Sequence, residues 1–111
     1  MNININGVEL EFDVYEADNA ELYQNETEKI IKICEKLKDN EDMAKAIRVQ
    51  CKAIFDFVDA LFGKDKHKEL FGESVNLKTC AKVYADINSA IASDKEEMLE
   101  ILGPLNITEK K

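Results

Sequence analysis

Apolar residues recur with two periods along this chain, and the change of period marks where strand gives way to helix. From Asn2 to Val14 they alternate: Ile3 and Ile5 precede Asn6-Gly7, and Val8, Leu10, Phe12 and Val14 follow it. Asn-Gly between alternating apolar residues signals a hairpin, because a type I′ turn needs positive φ at both central positions. The second strand sets its apolar residues on one face and Glu9, Glu11 and Asp13 on the other. A lone hairpin is marginal in water, so its apolar face must rest on the helices or on a partner's sheet. The acids opposite stop another strand edge from pairing there.

Beyond Val14 the period lengthens. Asp18-Asn-Ala-Glu21 reads as a helix start with a capping box. The helix runs to about Lys38, with Tyr23, Thr27, Ile30, Ile31, Cys34 and Leu37 inward. Asp39-Asn40 breaks the pattern and caps the next helix, Met43 to Phe62, which is the organising element. Met43, Ile47, Cys51, Ile54, Val58 and Leu61 form one dense apolar stripe, and Ala46, Val49, Ala53, Phe57 and Ala60 carry it round the other side. Only Lys45, Arg48, Lys52, Asp56 and Asp59 stay polar. A helix apolar over so much of its circumference needs cover from several directions.

Gly63 supplies a left-handed residue after this helix. Asp65 starts a short helix, Lys66 to Phe71, which Gly72 ends. Asn76 caps a last helix whose stripe is Leu77, Cys80, Tyr84, Ile87 and Ile91. Met98 and Leu102 keep its phase, but Asp94 and Lys95 interrupt it, so a break or kink is expected near Ser93. Gly103-Pro104 stops the helix. The predicted fold is α+β and mostly helical: an N-terminal β-hairpin packed on a bundle of three main helices plus one or two short ones. A single domain covers residues 1–104, with the hairpin in 1–15, the bundle in 18–102 and a flexible tail in 105–111.

Charge sharpens this picture. The net charge is −8, and residues 1–28 hold eight acids and no lysine or arginine, whereas residues 29–111 hold fifteen of each sign. The acidic end would repel phosphates, so direct nucleic-acid binding is not expected; a basic partner surface fits the charge, and so does simple solubility. No apolar run could span a bilayer, and the N-terminus lacks a basic segment followed by an apolar core, so neither membrane insertion nor secretion is expected. Cys34, Cys51 and Cys80 are odd in number and widely spaced, which suits reduced core thiols in the cytoplasm.

Chemistry is hard to place. His67 lies in the polar run Lys64 to Glu69 with no acid or nucleophile at a convincing spacing, so it reads as solvated surface. The three cysteines and His67 lack the close ligand pairs of a zinc site. The carboxylates have no tryptophan platform for sugars, and the four glycines are isolated punctuation without a phosphate-cradling loop. The expectation is therefore no enzyme, no catalytic residue, no metal and no cofactor. Two surfaces stand out as candidates for binding protein. One is the small-residue side of the central helix at Ala46, Val49, Ala53 and Phe57, which either lies under the hairpin and the short helix or suits self-association into a homo-oligomer or a client helix. The other is the acidic hairpin face at Glu9, Glu11 and Asp13.

Two segments carry a family resemblance: CKAIFDFVDALFG (Cys51 to Gly63) and ELFGESVNLKTCAKVYADI (Glu69 to Ile87). With Asn6-Gly7, the matching positions are Cys51, Phe55, Asp56, Phe57, Gly63, Phe71, Gly72, Asn76, Leu77 and Cys80. Together they resemble a group of small uncharacterised phage and prophage proteins of Gram-positive bacteria. Such proteins are similar in size and helical content to the tail assembly chaperones of long-tailed phages. That resemblance implies a non-enzymatic chaperone that shields apolar segments of a tape-measure or other phage tail protein. A second reading is an acidic phage-encoded inhibitor of a host nucleic-acid-binding defence protein. Carboxylates two apart on a strand repeat every ~6.6–6.8 Å, a spacing that suits a row of lysines or arginines. A structural component of the virion is a third reading.

Overall fold

A computed structural model of the chain describes residues 1–39 and 41–103. The elements run β1 (Asn2–Ile5), β2 (Val8–Glu11), α1 (Ala17–Lys36), α2 (Met43–Phe62), α3 (Lys66–Phe71) and α4 (Leu77–Leu102). This is the mostly helical α+β architecture expected, with one short helix.

The hairpin forms where the turn chemistry demands it. Asn6 (φ 53°) and Gly7 (φ 82°) both adopt positive φ, and the register is Ile5 opposite Val8, Ile3 opposite Leu10 and Asn2 opposite Glu11. Ladder strand ends at Glu11, short of Val14, but Phe12 N–H still donates to the Met1 carbonyl at 2.9 Å. Ile5, Leu10, Phe12 and Val14 are buried, so the alternation holds on both sides of the ladder's end. Phe12 meets Phe62 edge-on at 6.1 Å, which seats the hairpin on the end of α2.

α2 is the hub, in contact with α1, α3 and α4. It buries Cys51, Ala53, Ile54, Phe57, Val58 and Leu61. Its N-cap is Asp42, whose side chain accepts from Lys45 N–H at 3.0 Å, whereas the predicted cap was Asp39-Asn40. Asn40 lies outside the described residues. Gly63 does not take the expected left-handed helical conformation but sits at φ 126°, ψ 153°, an extended geometry with positive φ that favours glycine.

α1 begins one residue before the predicted cap. Glu16 occupies the N-cap position without a side-chain bond, and Asp18 lies in the first turn, where it complements the helix dipole. Ile31, expected inside, is half exposed, and Cys34 is exposed.

α4 corrects the expected break near Ser93: it is one helix of 26 residues, capped by Asn76, whose side chain accepts from Thr79 N–H at 3.1 Å. The residues that interrupt its apolar stripe have tertiary partners. The Met1 ammonium lies 2.8 Å from Asp94 Oδ2 and also bonds the Phe12 carbonyl. The Lys95 ammonium stands 5.6 Å from the centre of the Tyr23 ring. The Tyr15 hydroxyl is 3.1 Å from the Asp94 carbonyl and 3.2 Å from Glu97 Oε1. Tyr23 donates to Asn88 Oδ1 at 2.7 Å and ties α1 to α4. The predicted stop at Pro104 and the tail 105–111 fall outside the described residues.

Candidate functional site

The small-residue side of α2 is occupied from within the fold. Ala46, Ala53 and Phe57 lie within about 40° of one another on a 100° wheel, and Gln50 lies beside them. α1 packs there: Tyr23 meets the Phe57 ring at 6.2 Å, and Cys34 Sγ is 3.8 Å from Gln50 Oε1. Ala53 is buried and Phe57 fully so, while Ala46 and Val49 are half-buried. Phe57 also meets Tyr84 of α4 edge-on at 5.1 Å. The predicted groove is thus filled by the protein's own α1 and α4, because small residues admit a helix from the same chain as readily as a client.

The acidic hairpin face is open. Glu9, Glu11 and Asp13 are all exposed, and among the described residues none of them forms an ion pair. Glu9 accepts from the Asn4 side chain at 3.3 Å across the strands, and Asp13 Oδ1 accepts from Tyr15 N–H at 3.0 Å, holding the corner into α1.

A third surface was not legible as a site in the sequence. The buried stripe of α4 runs from Cys80 through Val83, Ile87 and Ile91. Met98, Ile101 and Leu102 continue it in phase, yet Met98 and Leu102 are only half-buried and Ile101 is 62% exposed. Leu99, one step round the helix, is 65% exposed. A 26-residue helix is about 39 Å long, and its last turns carry an apolar face past the end of the core. Periodicity predicts such a face but cannot say where its cover stops.

His67 is not free surface either. Its backbone N–H donates to Asp59 Oδ1 at 2.9 Å, and its Nδ1 lies 2.8 Å from Oδ2 of the same carboxylate. The ring stacks on Phe55 at 4.8 Å and 19°. Asp59 sits eight residues upstream on another helix, so no local spacing pointed to the pair.

The cysteines divide. Cys51 and Cys80 are fully buried where α2 meets α4, and burial, reinforced by the Cys51 thiol beside it, pushes the Cys80 thiol up to about 12. A thiol held protonated in this way is a poor nucleophile. Burial likewise raises the Tyr23 hydroxyl above its ordinary value. No described helix is long and apolar enough to cross a membrane.

Hairpin, hub helix and long capped α4 define a small α+β helical-bundle protein that exposes an acidic strand face and an apolar helix end. The chain belongs to DUF6673, a family of unknown function, whose model matches residues 6–109. No curated protein and no solved structure matches it.

Proposed function

We propose that the protein is a non-enzymatic phage assembly chaperone that shields apolar helical segments of a tail protein, the tape-measure protein being the natural client. The observation that carries this reading is the apolar end of α4, where Leu99 and Ile101 are more than 60% exposed and Met98 and Leu102 are half covered among the described residues. An amphipathic client helix laid along Met98 and Leu102 would bury its own apolar residues there, with Leu99 and Ile101 closing on it from either flank. The filled groove at Ala53 and Phe57 plays no part in this scheme. The acidic quarter of the chain keeps the loaded complex in solution.

Co-expression with an apolar tape-measure segment tests the proposal. The wild type should raise the soluble fraction of the segment. The double variant Leu99→Glu, Ile101→Glu should lose that effect while keeping its helix content, since both positions are exposed. A client as soluble with the variant as with the wild type, or no effect of the wild type at all, counts against it.

The open acidic face favours a second reading, an inhibitor that covers the basic surface of a host nucleic-acid-binding defence protein. Binding through Glu9, Glu11 and Asp13 would weaken steeply with salt, whereas capture of an apolar client would not.

A further inference from the structure

The corner between α2 and α3 gathers three potential metal ligands from residues within nine positions of one another. Asp59 lies half-buried in the last turn of α2, the Gly63–Asp65 turn reverses the chain, and His67 returns beside it in the first turn of α3. One donor atom from each of Asp59, Asp65 and His67 lies within 4.8 Å of the other two.

Hydrogen bonding accounts for only part of this arrangement. An ionised carboxylate can only accept, so in the metal-free protein Nδ1 carries the proton it shares with Asp59. That clasp needs Asp59 and His67 alone. Asp65 adds a second carboxylate to the first, and its backbone is held at φ 63°. Two like charges so close repel. The neighbouring ammonium groups relieve this weakly: Lys68 is 3.9 Å from Asp65, and Lys66 is paired with Glu69. A cation seated between the carboxylates would remove the repulsion, and the imidazole is already locked against Phe55.

We propose that Asp59, Asp65 and His67 form a binding site for a first-row divalent cation that clamps the α2–α3 corner. One nitrogen and two carboxylate oxygens suit zinc, cobalt or nickel better than calcium or magnesium, which take oxygen ligands. On binding, the cation takes the Nδ1 lone pair, and the ring's single proton resides on Nε2. Water fills the remaining coordination positions, and the clamp carries no chemistry of its own. The site is separate from the client face on α4, so the two proposals fail independently.

The test is a titration of the full chain with cobalt(II), followed by its visible absorption and by native mass spectrometry, with zinc as competitor. The background is Cys34→Ser, because Cys34 is an exposed thiol that could bind cobalt itself. One equivalent should bind and be displaced by zinc. Asp65→Asn leaves the Asp59–His67 clasp intact and removes one of the two repelling charges, so its metal-free melting temperature should hold or rise, yet cobalt affinity should fall at least about tenfold, the loss expected when a ligand's support is removed. His67→Gln should abolish the nitrogen-ligand spectrum. Absence of binding in the millimolar range, or binding unchanged in Asp65→Asn, overturns the proposal.

Discussion

Phe57→Ala separates a core residue from a client-facing one. Phe57 is fully buried and touches aromatic rings on two helices, Tyr23 at 6.2 Å and Tyr84 at 5.1 Å. Truncating a buried phenylalanine costs about 3–5 kcal/mol, the lost transfer energy plus the cavity left behind. A chain of 111 residues, at about 0.05–0.15 kcal/mol each, has a total stability of roughly 6–17 kcal/mol. The variant should therefore lose a large share of its stability while still folding at low temperature. With a urea slope of about 2 kcal/mol per molar, the midpoint should fall by roughly 1.5–2.5 M. Far-UV circular dichroism follows the transition, since the chain has no tryptophan. Phe57→Leu keeps most of the apolar volume and should fall between the two. A loss below about 1 kcal/mol at unchanged slope would refute the packing described here and reopen the small-residue side of α2 as an accessible groove.

Thiol reactivity should divide with burial: Cys34 reacts promptly with a disulfide reagent in native protein, and Cys51 and Cys80 react only on unfolding. Stability should fall as pH rises above 9.0, because the unfolded chain then gives up the Cys80 proton while the folded protein holds it up to about 12. Below 9.0 both states keep the proton and the effect vanishes; the full interval is worth at most about 4 kcal/mol, and Cys80→Ala should flatten the alkaline slope of the urea midpoint. Asp94→Asn removes the charge that faces the half-buried amino terminus and should cost about 1–3 kcal/mol by denaturant titration. Asp86→Asn, which breaks only an exposed pair with Lys82, should cost less than about 0.5 kcal/mol.

Local chemistry accounts for what could be read from the residues in order. Asn6-Gly7 dictated a turn because few other pairs accept positive φ twice, and the alternation on either side then dictated the register. Asn76 announced the start of α4, and the apolar girth of Met43 to Phe62 announced a hub, since each signal lies within a single element. Asp94 and Lys95 looked like a break only because their partners, the amino terminus and Tyr23, lie more than seventy positions away. Contacts between separate helices likewise hid which helix fills the side of α2 at Ala53 and Phe57, and how far along α4 the cover extends. In sequence His67 and Asp59 are separate polar groups eight positions apart; the α2–α3 turn sets them 2.8 Å from one another. Periodicity and turn preference state which face of an element is apolar; only the packing of elements against one another decides what covers that face, and what stays open.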